Sequence, residues 1–525
     1  MARPDGQEFC AWCYFPEGFA VCDMVTTAWF SGNAGLPLPG EHRTIATQSK
    51  PGRTLFMPCP AQPANNNRPH NAAPVLRHSL TPCLLPRPPG SPLLWLLIGL
   101  SFSFNLIAQE EDSSQIAITT PQADYLQQAE ELLQSAQVQQ AMQHIFDQHD
   151  RSLQDMIELT EIPAPPFQEE ERALRFAQML REAGLQDVVI DEVGNVIGRR
   201  PGNSSGRRVA YTAHLDTVFP AGTDVTVRQE GDTYYAPGIG DNTRGLVVLL
   251  GVLRAMQFAG IETRDELLFI GNVGEEGLGD LRGVKHLFRP GAEPIDALVA
   301  VDGGDMQRLV FGGVGSHRYR ITFAGPGGHS WGAFGSANPH HALGSAIALF
   351  TRAADPITRE GDKSSYNIGR IGGGTSINSI PFESWAEVDI RSGDPEKIAA
   401  IDAALQQAVK QALAEENNNR RKGEELTVDI ELAGDRPAAK GNVDLPLVQR
   451  ALAALAALEI APQLSISSTD ANLPLSLGVP AVTMSRGGIS GDAHSPGEWW
   501  QDKDAHLGIQ AGLLTVLAEA GWIQP

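Results

Sequence analysis

Five side chains that can bind a metal ion stand near the ends of apolar segments in this 525-residue chain. They are His214, Asp241, Glu276, Asp302 and His494. Three of them follow short apolar runs, a fourth lies beyond such a run, and Asp241 precedes a long apolar segment. Because the carboxyl ends of parallel strands meet at one edge of a sheet, we expect these residues to converge. Packing alone does not explain them, since buried ionised groups need partners.

The charges of this set match two divalent cations. Two Zn²⁺ carry four positive charges, the three carboxylates return three negative charges, and a hydroxide ion would cancel the remainder. Carboxylates and imidazoles are zinc ligands where no thiolate is available. The set therefore predicts two Zn²⁺, with Co²⁺ and Mn²⁺ as alternatives.

Two neighbouring carboxylates, Asp216 and Glu275, are expected to assist the metal ions. Residues two apart in an extended segment face the same side, so Asp216 can reach the imidazole of His214 and fix its tautomer. Glu275 precedes Glu276, and a carboxylate beside metal-bound water can take its proton and pass it to a leaving amine. A helix cap or an ion pair is the alternative role for Glu275.

Each of these motifs has an ordinary alternative when it is taken alone. A His-x-Asp pair is usually a surface or core feature, and a Glu–Glu pair is usually a solvated face. An Asp before Asn is usually a turn or a helix cap. Their joint placement at strand ends is what favours a metal site.

Apolar strands and helices alternate around these residues, which predicts an α/β fold with a mainly parallel sheet covered by helices. Residues 121–313 and 434–525 carry this pattern, and one helix is predicted over 121–150. Between them, residues 314–433 read as a β-α-β-β-α unit with a half-exposed antiparallel sheet. We therefore expect two parts of one catalytic domain with a smaller domain inserted between them.

The first 108 residues differ from the rest, and all five cysteines lie there. Residues 1–92 lack a sustained helical or strand period, which predicts a non-globular leader whose first part precedes the natural translation start. The apolar stretch at 93–108 follows basic residues and ends at Ala108 before an acidic segment, which is typical of a secretory signal. It is too short and too interrupted for a stable membrane span. We expect a periplasmic or secreted protein; a membrane anchor or a cytoplasmic location is the alternative.

The chain is acidic, with 62 Asp and Glu against 40 Lys and Arg. A nucleic-acid partner would require a basic face, so this balance argues against one. Acidity otherwise indicates solubility and does not identify a substrate.

The motif stretches resemble the zinc exopeptidase and aminoacylase family. That family contains peptidase T, carboxypeptidase G, carnosinase-type dipeptidases and succinyl-diaminopimelate desuccinylase. The matching segments are Ala213–Val218, Gly240–Asn242, Gly274–Gly277 and Ala493–Ser495. The resemblance covers the chain from about Ile162 to the C-terminus, and the combination of motifs is specific.

The resemblance implies a role for each metal ligand. Asp241 would bridge two metal ions. His214 and Asp302 would complete one site, and Glu276 and His494 the other.

The resemblance also assigns the base and the backbone beside it. Glu275 would be the general base. Family members often have a cis peptide bond after the bridging Asp, so the same is expected at Asp241–Asn242. The usual second Asp of that pair is Asn in this chain.

The inserted region resembles the ferredoxin-like lid and dimerisation domain of the same family. His329, in the segment Gly-Gly-His-Ser, would stabilise the tetrahedral oxyanion, typically across a homodimer. Asn378 and Arg391 would bind substrate, and the planar fork of an Arg can hold a carboxylate with two hydrogen bonds. A loop His, a turn Asn and an exposed strand Arg are the ordinary alternatives.

The resemblance implies hydrolysis of an amide bond in a small substrate. The first hypothesis is an aminopeptidase or a di- or tripeptidase, because an Asp at the position of Asp302 accompanies those activities in the family. The alternative is an N-acyl-amino-acid deacylase or desuccinylase with the same metals and another pocket. A third hypothesis, a metal-dead binding protein, requires a missing ligand or base, and none is missing.

Overall fold

The structure is a computed structural model, and it describes residues 116–203 and 206–524. The leader over 1–92 and the segment 93–108 lie outside the described residues. In the described part the strands are β1 (Ile116–Ile118), β2 (Asp187–Ile190), β3 (Val196–Arg200), β4 (Arg208–His214), β5 (Arg228–Glu230), β6 (Thr233–Tyr235), β7 (Glu266–Asn272), β8 (Ala297–Val301), β9 (Arg308–Gly313), β10 (Gly315–Ala324), β11 (Gly328–His329), β12 (Ser364–Gly373), β13 (Ser379–Ile380), β14 (Glu383–Ser392), β15 (Thr427–Arg436), β16 (Gln463–Ser467), β17 (Ala481–Met484), β18 (Ile489–Gly491) and β19 (Trp499–Gln501). The α-helices are α1 (Ala123–Gln134), α2 (Ala136–Asp147), α3 (His149–Thr160), α4 (Glu170–Glu182), α5 (Gly245–Phe258), α6 (Arg282–Leu287), α7 (Pro339–Thr358), α8 (Pro395–Asn419), α9 (Pro446–Ala457), α10 (Asn472–Ser476) and α11 (His506–Ala520).

A nine-stranded sheet forms the larger part of the fold, in the order β1-β16-β9-β17-β8-β4-β7-β3-β2. Its central strands β17, β8, β4 and β7 are parallel, and the strands toward both edges include antiparallel pairs. Strand β8 is buried along its whole length, and β4 and β7 are buried beyond their first residue. Such continuous burial is typical of parallel strands that helices cover on both faces. The predicted α/β fold with a mainly parallel sheet is confirmed.

The N-terminal helical region differs from the prediction of one helix over 121–150. It forms three helices, because the backbone at Ser135 is extended, with ψ 131°, and that at Gln148 leaves the helical region, with ψ 18°. Helix α2 buries Val138, Met142 and Ile145 against the core. A chain that turns at these two residues can pack three short apolar faces onto the neighbouring helices, including α5, α9 and α11, which a straight helix cannot do.

The second sheet is antiparallel and has the order β12-β14-β10-β15. Strand β14 alternates between buried and half-buried residues along its length. The apolar side chains of this sheet pack with helices α7 and α8 around a separate cluster that includes Phe323, Phe350 and Ile401. The prediction did not include β15, which completes a β-α-β-β-α-β unit of the ferredoxin-like order.

We propose that the inserted domain corresponds to this second sheet and its helices. The predicted limits, 314–433, fall close to the start of β10 at Gly315 and the end of β15 at Arg436. The separate hydrophobic cluster supports this division, since a domain has its own core.

Among the described residues, no helix has the length and apolarity that crossing a membrane requires.

Candidate metal centre

Three adjacent strands of the large sheet deliver ligands to the same edge. His214 is the last residue of β4. Glu276 follows β7 and Asp302 follows β8, the two strands that flank β4 on either side. The carboxyl ends of parallel strands therefore bring these side chains together, as their placement after apolar segments predicted.

The five ligand candidates form two groups that share Asp241. In each group the ligand atoms lie within 4.8 Å of one another. The first group contains His214, Asp241 and Asp302, and the second contains Asp241, Glu276 and His494.

The two carboxylate oxygens of Asp241 face different histidines. Its Oδ1 lies 3.2 Å from Nε2 of His214, and its Oδ2 lies 3.3 Å from Nε2 of His494. The same His494 nitrogen is 2.8 Å from Oε1 of Glu276. Zinc binds nitrogen and carboxylate ligands at about 2.0–2.2 Å, so ligand atoms on one ion lie roughly 3–4 Å apart. The residues present therefore fit a centre that binds divalent metal.

The backbone that presents Asp241 is held by a buried carboxylate. Glu498 accepts hydrogen bonds from the backbone N–H groups of Gly238, Gly240 and Asp241, at 2.9, 2.9 and 2.8 Å. The Asp241–Asn242 peptide bond is cis, as expected. This segment leads directly into α5, and it places the carboxylate of Asp241 at the sheet edge.

Asp216 supports both a ligand and the adjacent turn. Its backbone carbonyl lies 3.0 Å from Nδ1 of His214, while its carboxylate is 3.7 Å from that nitrogen. The carboxylate instead accepts the backbone N–H groups of Glu275 and Glu276, at 3.0 and 2.8 Å. The imidazole is thus oriented mainly by the backbone of Asp216, and its side chain fixes the Glu–Glu turn.

The electrostatics of the site favour cations. Burial alone would raise the pKa of Asp241, but the charge of Arg486 and the hydrogen bonds of His214 and His494 hold that pKa well below its usual range. Hydrogen bonds to Asp241 and Glu276 raise the pKa of His494 to about 10. Metals bind neutral imidazole, so a metal ion would displace the proton that these carboxylates stabilise.

An arginine lies beside the first ligand group. Nη1 of Arg486 is 3.3 Å from Oδ1 of Asp241 and 3.2 Å from Oδ1 of Asp302, and its side chain is 4% exposed. Burial, followed by the nearby charge of Asp241, raises the pKa of Asp302, whereas Arg486 lowers it. A fixed positive charge therefore partly neutralises two of the three ligand carboxylates.

Glu275 lies next to the ligands in a buried position. Nη1 of Arg436 donates to Oε1 of Glu275 at 3.0 Å, and both side chains are less than 10% exposed. Burial raises the pKa of the Glu275 carboxyl well above its ordinary value, although the charge of Arg436 opposes that shift. A carboxylate with a raised pKa is suited to accept and return a proton.

The sequence of this region matches a known family. Residues 210–518 match the model of peptidase family M20/M25/M40. The chain belongs to this family. Membership confirms the expected resemblance to zinc exopeptidases and the prediction that the protein is a metal-dependent hydrolase of small peptides.

Individual relatives of this M20/M25/M40 peptidase are distant. The uncharacterised protein YqjE of Bacillus subtilis is 25% identical over 355 residues, which are 64% of this chain and 90% of the relative. The aminopeptidase PepT of Bacillus cereus has a TM-score of 0.57 at 21% identity and covers 71% of this chain and 98% of its own. A tripeptidase of Staphylococcus aureus has a TM-score of 0.58 at 20% identity, covering 70% and 98%. At these identities the two structures show a shared fold.

The motifs predicted three substrate-binding residues for this peptidase. They lie on the second sheet and on the small β11–β13 ribbon. His329 and Asn378 are exposed at the β11–β13 ribbon, where the N–H of Ser330 donates to the carbonyl of Asn378 at 2.9 Å. The N–H groups of Trp331 and Gly332 donate to Nδ1 of His329. The imidazole therefore keeps Nε2 for a further partner.

Arg391 lies at a separate cavity. Its Nε donates to Asp389 at 2.8 Å. The cavity has a volume of about 390 Å³, and its lining includes Arg391, Ser365, Ser467 and Ser468. Ser468 accepts a hydrogen bond from Arg436, the residue that contacts Glu275, so the cavity adjoins the metal centre.

Several residues of the peptidase site were not predicted from the sequence. Arg486 follows β17, so a search for basic residues at strand ends, beside the search for metal ligands there, would have found it. No local motif indicated Arg436 or Glu498. Asp470, whose role the motifs left open, is buried; its Oδ2 accepts from Asn272 at 2.8 Å, and burial raises its pKa to about 7.

Replacing Asp216 by Asn should weaken zinc binding about 10- to 100-fold, the usual cost of losing a group that orients metal ligands. The amide would present an N–H₂ group to one of the two backbone N–H groups that the carboxylate accepts. Competition with a fluorescent chelator measures the affinity. The exposed Asp224→Asn serves as the matched control, and equal affinities in the two variants would contradict this role.

Replacing Arg486 by Met should destabilise the metal-free protein by about 3 kcal/mol, because it leaves the half-buried carboxylates of Asp241 and Asp302 without their cation. Bound zinc would supply that charge instead, so the loss should be much smaller in the zinc-loaded protein. Urea unfolding with and without zinc measures both values, and the exposed Arg352→Met is the control. Equal losses in the two forms would show that Arg486 does not offset the ligand charges.

Proposed function

We propose that this protein is a two-zinc aminopeptidase that acts on di- and tripeptides. The observation that carries the proposal is the pair of ligand groups that share Asp241 through its two different oxygens. His214 and Asp302 would hold one zinc ion, and Glu276 and His494 the other. Zinc ions bound there would polarise the substrate carbonyl and lower the pKa of a water molecule.

Glu275 acts as the general base in this proposal. It takes a proton from the attacking water and returns it to the departing amine. Its burial beside Glu276 supports this role, since a raised pKa lets the carboxyl hold the proton between the two steps. Asp216 keeps the base in place through the backbone N–H of Glu275.

Binding of the peptide involves the cavity at Arg391. Its guanidinium and the hydroxyl groups of Ser365, Ser467 and Ser468 suit a substrate carboxylate, because they are all hydrogen-bond donors. A cavity of about 390 Å³ is of the size that takes small ligands. This supports short peptides as substrates.

The choice of an aminopeptidase over a deacylase rests on two supports. The fourth carboxylate ligand is Asp302, the residue type expected for aminopeptidases and dipeptidases. The similar folds described above belong to an aminopeptidase and a tripeptidase. An N-acyl-amino-acid deacylase would use the same metals and another pocket, so the substrate panel below separates the two activities.

We further propose that the active form is a homodimer in which His329 serves the site of the second copy. His329 and Asn378 are exposed at the β11–β13 ribbon. Large apolar side chains stand exposed beside them, with Trp331 at 89%, Phe334 at 67% and Ile377 at 103% of full exposure. Apolar groups so close together are typical of a protein interface. Nε2 of His329 would then stabilise the oxyanion.

Export from the cytoplasm is part of the proposal and rests on the signal-like segment at 93–108. A periplasmic or secreted enzyme of this kind would act on peptides outside the cytoplasm.

Replacing Glu275 by Gln should lower kcat about 1000-fold, because the amide cannot accept the proton of the attacking water. Zinc content, measured by atomic absorption, should stay at the wild-type value. The exposed Glu171→Gln provides the control. Turnover by Glu275→Gln close to the wild-type rate would rule out Glu275 as the base.

A panel of substrates tests the proposed activity. The zinc-loaded protein should cleave Ala-Ala-Ala and Ala-Ala, and should leave N-acetyl-alanine, N-succinyl-alanine and N-acetylated Ala-Ala-Ala intact. A chelator should abolish the turnover and added zinc should restore it. Preferred cleavage of the N-acyl amino acids would establish the deacylase instead, and no cleavage of any substrate would support a binding protein.

A further inference from the structure

The inserted domain is hydrogen-bonded to the turn that carries the proposed base, Glu275. Arg436 is the last residue of β15, where the chain leaves the second sheet, and it is 5% exposed. Its Nη1 donates to the carboxylate of Glu275 at 3.0 Å, and its Nη2 donates to the backbone carbonyl of the same residue. Nη1 also lies 3.2 Å from Oγ of Ser468. One guanidinium thus holds the side chain and the backbone of Glu275 together.

Two further hydrogen bonds join the same turn to the second sheet. Nη1 of Arg318, on β10, donates to the carbonyl of Gly277 at 3.1 Å. The backbone N–H of Asp435, on β15, donates to the carboxylate of Asp280 at 3.0 Å. The turn after β7 therefore contacts neighbouring strands of the inserted domain at three points. If that domain moves relative to the large sheet, the turn must either follow it or lose these bonds.

The contact with Arg436 leaves part of the base open. The hydrogen bond reaches Oε1 of Glu275. Among the residues that the structure describes, we find no donor on Oε2. The guanidinium can therefore fix the rotamer of the carboxylate while Oε2 remains available to a water molecule. A planar guanidinium suits this task, because it makes two hydrogen bonds in a fixed geometry that an ammonium group cannot reproduce.

We propose that Arg436 is a positioning residue that orients the carboxylate of Glu275 and links that orientation to the position of the inserted domain. This inference rests on the proposed role of Glu275 as the base. Arg436 acts on the reaction through Glu275, and its contact with Ser468 does not involve Arg391, Ser365 or Ser467 of the substrate cavity. Its removal should therefore slow proton transfer and leave substrate binding nearly unchanged.

The test compares Arg436→Met and Arg436→Lys with the wild-type protein, all loaded with zinc and assayed with Ala-Ala-Ala. We expect Arg436→Met to lower kcat about 100-fold, the effect of a small misplacement of a reacting group, with KM nearly unchanged. Arg436→Lys should give an intermediate kcat, because it keeps the charge and loses the second hydrogen bond. Added guanidinium, far below denaturing concentrations, should restore part of the kcat of Arg436→Met.

The control is Arg320→Met on the same sheet. Arg320 donates a hydrogen bond to Glu387 and stacks on Trp385, away from the turn. The kcat of Arg320→Met should therefore stay at the wild-type value. Zinc content should be the same in all variants. If Arg436→Met does not fold, Arg436→Lys decides: a lower kcat at unchanged KM supports the proposal.

Three outcomes would overturn the inference. The first is an unchanged kcat in both Arg436 variants. The second is a rise in KM that accounts for the whole loss of kcat/KM. The third is a lower kcat in Arg436→Met that added guanidinium does not restore, together with a wild-type kcat in Arg436→Lys. Failure of the proposed function is distinct, because the wild-type protein would then fail to cleave Ala-Ala-Ala, or Glu275→Gln would keep its activity. An inactive Glu275→Gln with fully active Arg436 variants would overturn only the inference.

Discussion

The mutual repulsion of buried carboxylates at one sheet edge is the constraint on which the site depends. Asp241, Glu276 and Asp302 converge there, with Glu275 and Asp216 beside them. Such a concentration of negative charge is costly to bury unless cations or N–H groups face it. Most groups around the site are cations or N–H groups that face these carboxylates.

Each carboxylate has different partners, and these partners suit each one to a different role. The side chain of Asp216 takes two backbone N–H groups, so it acts as a rigid support. Asp241 is held between two histidines and Arg486, which keeps it ionised and ready to bind a cation. Glu275 has one arginine and a buried setting that favours the protonated form, which suits a group that must gain and lose a proton.

The connection between the two sheets is part of the same electrostatic arrangement. The chain returns from the second sheet at Arg436, so the cation that contacts Glu275 belongs to a segment with a different hydrophobic core. The short turn at Gly277–Gly279 follows β7 of the large sheet, and Gly277 accepts a hydrogen bond from Arg318 of the second sheet. Glu275, the neighbour of the candidate ligand Glu276, is therefore hydrogen-bonded to the end of the second sheet.

The sequence by itself determined the kind of site and the main sheet. Apolar runs that end in His214 or Asp302 encode both a buried parallel strand and a candidate ligand at its end, because burial periodicity and ligand chemistry are local properties. What it could not supply was β15, since the residues at 427–436 are mostly exposed and carry only a weak apolar pattern.

Only the tertiary structure decided how the charges are balanced. Arg486 lies 245 positions from Asp241, and Arg436 lies 161 positions from Glu275. Asp216 proved to use its carboxylate on the Glu–Glu turn and its backbone on His214. Such partners follow from distances through space between distant segments, whereas a motif records only which residue types are neighbours along the chain.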